Sequence, residues 1–267
     1  MIVHNFFRLL ACKQPNFKYN TLISRGNYFT FLLVTALYFP QEKYIGLVEY
    51  TFVKEIGGTQ AFSEYLLLNE ANSFYFSYNQ KKDTYEELAR EFEFRYSNNV
   101  VKYEADKSEF TELRNLRSFY RMSDTPPAIQ WEIKQETKEI LGYTCTNAIG
   151  EFRGRTYSVW FASEVPFFYG PWKLTGLPGL ILEARDNYGY FHYIAKEITL
   201  NKDFFVPAVL EEKLSEQNSI AYKEFIEIEN DFFKDIKNKI QASRPRGTVF
   251  KETPLRELLK ETKFEWE

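Results

Sequence analysis

GPWKLTGLPGLIL, from Gly170 to Leu182, is the stretch on which the reading of the fold turns: three glycines and two prolines punctuate an otherwise apolar run. Gly176 and Gly179 bracket Pro178, so the backbone is free to take positive φ on either side of a residue fixed near about −65°. Leu180-Ile181-Leu182 then opens a buried strand. No catalytic chemistry is visible in the stretch. It reads as a built turn feeding a strand, with Gly170, Pro171, Gly176, Gly179, Leu180 and Ile181 as structural positions.

Working outward, the neighbouring segments alternate with the period of strands. Ile129 to Gln135 puts Trp131 and Ile133 on one face, a turn is expected near Glu136-Thr137-Lys138, and Ile140 to Cys145 returns. Asn147 to Gly154 reads as another turn, Arg155 to Phe161 as the next strand, and Asp186-Asn187-Tyr188-Gly189 as the turn of a last hairpin ending near Leu200. Further upstream, Tyr44 to Lys54 alternates as a first strand, and Ala61 to Leu68 and Ser73 to Tyr78 read as a hairpin flanking the turn-prone spacer Asn69 to Asn72. Thr84 with Glu87 three residues on fits a capping box. Val100 to Tyr103 and Ser118 to Met122 read as strands flanking a charged connection. The expectation is a meander with every neighbour antiparallel.

Beyond Pro207 the period changes. Phe225, Ile228, Phe232, Ile236 and Ile240 recur at three and four residues, which predicts an amphipathic helix from about Ser219 to Gln241 packed on the sheet. Arg244 to Gly247 ends it, and Thr253 with Pro254 starts a short helix through Leu255 and Leu258. Composition agrees with a β-rich chain: 18% of the 267 residues are aromatic, with 26 Phe and 19 Tyr, and such side chains suit half-buried pleated strands. The expected fold is mainly β (α+β), a strongly curved antiparallel sheet or half-barrel with a long C-terminal amphipathic helix on it.

Tyr28 to Phe39 is uncharged and has the length of a signal-peptide apolar core, too short for a membrane span of about 20 residues. Arg25 supplies the positive flank. Residues 1–27 read as an atypical or spurious extension, 28–41 as the apolar and cleavage regions, and 42–267 as a single domain. Leu9-Leu10-Ala11-Cys12 offers a rival lipobox, weakened by His4, Asn5 and Arg8.

The residues from Trp131 to Leu182 also resemble a known pattern. It includes Ile140-Leu141-Gly142-Tyr143 with Cys145 and Ala148, Arg155, Trp160-Phe161, Glu164-Val165-Pro166, and Gly170-Pro171 ahead of the hexapeptide Gly176 to Ile181. The pattern is similar to that of the GLPGLI family of exported proteins, found mainly in Bacteroidetes. The resemblance implies export to the periplasm or the outer membrane and a mostly β domain. It carries no assigned activity.

A net charge of −3 gives no field to draw a phosphate backbone, so nucleic acid is not expected as a partner. Arg114, Arg117 and Arg121 near Phe119 and Tyr120 read as a solvated strand edge. Two cysteines exclude a disulfide framework, and Cys145 reads as a small buried hydrophobe. No metal or cofactor motif is present, and no catalytic residue is assigned. His192 reads as a structural histidine.

The expected function is binding, of an apolar ligand or of another cell-envelope protein, through Trp172, Lys173, Leu177 and Pro178. Alternatives are a structural or accessory interaction module and a hydrolase using Glu164, Glu183 and Asp186. Burial of Trp172 and Leu177 discriminates: buried, they belong to the architecture; exposed around a concavity, they belong to a binding surface.

Overall fold

The computed structural model describes residues 41–267 apart from 94, 96, 98, 216–218 and 244–253. The expectations for the extension 1–27, the export signal through Pro40, the Cys12 lipobox, the stop at Arg244 to Gly247 and the Thr253 cap lie outside these residues.

The protein is mainly β. The first meander comprises β1 (Lys43–Glu55), β2 (Thr59–Leu68), β3 (Asn72–Ser77), β4 (Val100–Glu104), β5 (Glu109–Asn115) and β6 (Phe119–Asp124). The second comprises β7 (Trp131–Ile140), β8 (Tyr143–Phe152), β9 (Arg155–Ala162), β10 (Leu180–Asp186) and β11 (Phe191–Phe205). The first strand of one joins the last strand of the other: β1 pairs antiparallel with β11 from Lys43↔Phe205 to Lys54↔Phe191. With β12 (Ile220–Ala221), they form one twelve-stranded sheet in the order β12-β6-β5-β4-β3-β2-β1-β11-β10-β9-β8-β7.

Three α-helices are described, α1 (Tyr85–Arg90), α2 (Ala208–Ser215) and α3 (Tyr222–Ala242), with a short 3-10 helix at Leu255–Leu258 where a short helix was expected. The Thr84 side chain caps α1 by accepting from the Glu87 amide at 3.1 Å. The Glu87 carboxylate reaches back to the Asp83 amide, one residue before the position a capping box uses. No described helix is long and apolar enough to cross a membrane.

Four local expectations are corrected. The stretch read as a charged connection contains β5, whose Glu112 is fully buried because its charge is neutralised inside the protein. The turn expected near Thr137 is instead at Leu141-Gly142, both at positive φ (52° and 82°), so β7 runs on through a register shift between Ile133 and Thr137. The same two-residue geometry at Arg153-Gly154 moves the next turn to the end of β8, since paired positive φ values match the twist of a hairpin. Finally, β12 pairs parallel with β6, so not every neighbour is antiparallel.

Both faces of β2 are covered. Leu66 and Leu68 join Tyr50, Phe52, Phe161, Leu177, Ile181 and Tyr193 in the main core, while Tyr65 and Leu67 pack with Phe74, Phe76, Leu88, Phe204 and Leu210 under α1 and α2. Helix α3 buries Tyr222, Phe225, Ile226 and Glu229 in its first turns, with Met122 and Phe264 against them. Of the side chains expected on its inner face, Phe225 is buried but Ile240 is exposed.

Candidate functional site

The segment between β9 and β10 holds itself together. Val165 accepts from the Leu180 amide, Tyr169 from Ile181 and Phe168 from Gly176, each at 3.0 Å, and the Trp131 indole donates to the Thr175 carbonyl at 2.8 Å. A Cβ on Gly179 would stand 2.8 Å from the Ser163 Cα, so only glycine fits where the hexapeptide passes the end of β9. Trp172 and Leu177 are buried, and Trp172 holds a left-handed backbone at φ 58°, sparsely populated by large residues. Its ring meets Phe152 edge-on, with centroids 5.6 Å apart.

Lys173, the next residue, enters a buried ion network. Its ammonium pairs with Glu112 of β5, with Asp124 at the end of β6 (2.7 Å) and with Glu261 of the C-terminal segment (3.1 Å). Arg153 forks onto Asp124 with two contacts of 2.7 Å and meets Glu261 at 2.6 Å. Arg114 meets Glu112, Glu229 and Glu261, and Arg256 meets Glu229 at 2.8 Å. The Tyr222 hydroxyl donates to Glu261. Burial raises the Glu261 carboxyl, but Lys173, Arg153 and Arg114 outweigh it and bring the pKa down to about 2. Lys173 therefore joins both meanders, α3 and the C-terminal segment through one set of charges.

That segment is also fixed by Arg155, whose guanidinium donates to the carbonyls of Leu259 (2.7 Å) and Glu257 (2.6 Å) while pairing with Asp186 at 2.7 Å. So held, residues 258–261 form one wall of a cavity of about 360 Å³. Phe52, Phe62, Phe191 and Trp172 supply ring surface to it, and Lys54, Glu64, Asn99 and Lys260 supply polar groups. Among the described residues, the buried atoms Glu64 Oε2, Asn99 Nδ2 and Trp172 Nε1 have no hydrogen-bond partner. Buried polar atoms left without a partner are costly. Burial raises the Glu64 carboxyl to about 7, partly opposed by Lys260; burial lowers the Lys260 amine to about 8, partly opposed by Glu64.

Of the residues singled out from sequence, Trp172 and Arg114 line this cavity. Lys173 lies in the ion network, Leu177 in the core, and Pro178 is exposed at the surface. Gly170, Pro171, Leu180 and Ile181 are buried within the motif. Arg114 is not on a solvated edge but inside the network, and Arg117 pairs with Asp235 of α3. The three carboxylates of the hydrolase reading do not form a catalytic pair: Asp186 is neutralised by Arg155 and accepts from the Phe191 amide, Glu183 is held by Lys138 and His192, and Glu164 is exposed. Cys145 is buried, and burial pushes its thiol up to about 11. Glu64 was missed, although its place in the Phe62, Glu64, Leu66, Leu68 alternation marks a charge on an inward face. Lys260 carries no comparable signal.

A mainly β chain with an ion-locked centre and a ring-walled cavity is the class that this geometry defines. The family model described as "N-glycanase peptide, N-terminal domain" matches residues 77–224, more than half of the chain, and the chain belongs to that family. Solved structures of PNGF-II in C2 and P21 crystals are similar to it at 18% identity, with TM-scores of 0.48 and 0.47. Each match covers 67% of this chain and 31% of the PNGF-II chain, so the chain matches about a third of that protein's length. No curated protein matches.

Proposed function

We propose that this chain is an exported, non-catalytic accessory domain that binds a saccharide in the cavity between β1–β2 and the C-terminal segment. The observation that carries the reading is the lining. Flat rings suit the apolar face of a pyranose, and the polar lining residues Lys54, Glu64, Asn99 and Lys260 offer hydrogen-bonding groups for sugar hydroxyls. The volume lies in the ordinary small-molecule range of about 300–1,000 Å³. The family description, an N-glycanase N-terminal domain, points to the same chemistry. The ligand is then amphipathic rather than purely apolar.

In this reading, the sheet is strongly curved, as expected of a half-barrel, and the contact of Lys173 with β5 and the packing of Tyr169 on Tyr103 of β4 are its cross-braces. Helix α3 serves as an amphipathic cover over β6. The GLPGLI resemblance and the export it implies belong to the same proposal, since the hexapeptide lies inside the matched residues.

Saturation-transfer NMR on the full chain with a mixture of neutral and acidic oligosaccharides tests it. Transfer to sugar ring protons is expected, reduced in Phe62→Ala and Asn99→Ala. Absence of transfer to any sugar, with a lipid or peptide retained instead through purification, would overturn it.

A further inference from the structure

The cavity has an unbalanced charge. Four cations line it, but Arg114 and Arg256 are spent on Glu112, Glu229 and Glu261. Lys54 and Lys260 have no carboxylate within ion-pairing distance among the described residues, and Glu64 is the one lining acid outside the ion network. The Lys260 ammonium sits among rings, 4.4 Å from the Phe52 centroid, 5.1 Å from Tyr193 and 5.4 Å from Trp172. It therefore has attractive π faces around it but no acceptor for its three protons. Lys54 stands two residues beyond Phe52 on β1, on the same face of the pleat, and lines the same space. Lys260 and Lys54 thus line the same space as the Phe52 ring, and Glu64 of β2 lines it too.

Resting on the saccharide reading above, we propose that the ligand is a sugar carrying an acidic group, with the anion taken by Lys260 and Lys54 and the ring lying on Phe52 and its aromatic neighbours. A neutral sugar would leave both ammonium groups unpaired in a partly desolvated site, whereas an acid satisfies them with charge-assisted hydrogen bonds. Glu64 does not cancel this preference. Its burial favours the protonated form, in which it donates to a hydroxyl or ether oxygen instead of repelling the acid. A bare anion would fill the charge but leave the rings and the Asn99 amide uncovered.

The test is calorimetric titration of the full chain near pH 6.5 with 3′-sialyllactose, lactose and sodium acetate at equal concentrations. Sialyllactose is expected to bind at least about tenfold tighter than lactose, as one or two charge-assisted hydrogen bonds imply. Lys260→Met and Lys54→Gln should each erase that advantage. Lys260→Met keeps apolar bulk among the rings, and Lys54→Gln changes a separate strand, so loss of folding in one would not remove the other. Equal binding of the two sugars would overturn the acidic-ligand proposal and leave the accessory saccharide reading standing. Full competition by acetate would show a bare-anion site and overturn the proposal, and binding of neither sugar would overturn both readings.

Discussion

Glu64 on β2 and Lys260 in the C-terminal segment face one cavity from positions nearly two hundred residues apart, each shifted against its own charge by burial and each drawn back by the other. The signs give two separate pH windows. Glu64 titrates near 7 in the folded chain against an ordinary 4.5, so the folded state holds the proton more tightly, and its contribution is present below 4.5 and lost as pH rises through 7. Lys260 titrates near 8 against 10.5, so the unfolded chain holds that proton more tightly and stability rises between these values. Glu64→Gln should abolish the first slope and stabilise the protein near pH 7.5 by up to about 3 kcal/mol. Lys260→Met should abolish the second. Urea midpoints across pH 4 to 10 check both, and an unchanged slope in Glu64→Gln would contradict the burial of that carboxyl as a free acid.

Lys173 has a different dependence, because it shares its carboxylate partners with Arg114 and Arg153. Replacing it with methionine keeps the stem but leaves Glu112 and Asp124 buried with one cation fewer, a loss of about 3–5 kcal/mol. Adding Glu112→Gln to Lys173→Met should recover part of that, since the uncompensated charge goes with it. Chemical denaturation of the two single variants and the double variant gives the coupling. Strict additivity would mean that the network is solvated.

The C-terminal segment should be the first part to loosen in acid. Glu261, at about 2 in the folded chain, contributes stability that is complete above its ordinary 4.5 and lost as pH falls toward 2. Hydrogen exchange at residues 255–267 is expected to accelerate below pH 4 before exchange in β1 and β11 does. Glu261→Gln should show the fast exchange already at neutral pH. Uniform exchange across the chain in acid would show that the segment is not held by this carboxylate.

Much of the strand plan is legible from residue order. β1 alternates cleanly, while β2 and β3 end in runs apolar on both faces, and the Asn69 to Asn72 turn is closed by the Asn69 side chain accepting from the amides of Ala71 and Asn72. What fails does so for local reasons. Leu141 is an unusual residue for positive φ, so the turn there is hidden, and β5 looks solvated because Glu112 and Arg114 also pair with Lys173, Glu229 and Glu261, which are distant in sequence. The cavity is less legible still. Its walls come from β1, β2, the segment before β4, Trp172 and residues 256–261, and no short motif marks that convergence.

The hexapeptide gives the sharpest test of architecture against activity. Gly179→Ala places a methyl against the backbone at Ala162 and Ser163, atoms that cannot swing aside as a side chain can, so destabilisation of about 1–3 kcal/mol or more is expected. Pro178, one residue earlier and exposed, should tolerate alanine within about 0.5 kcal/mol. If the motif served binding through its surface, the order would reverse: Pro178→Ala would spare stability and abolish ligand uptake, while a folded Gly179→Ala would still bind. The packing of Leu177 and Ile181 in the same core as Tyr50, whose hydroxyl donates to the Ile181 carbonyl at 2.6 Å, favours the first order. Thermal melts of the two variants beside the sialyllactose titration separate these outcomes, because Gly179 touches the end of β9 and Pro178 lines no part of the cavity.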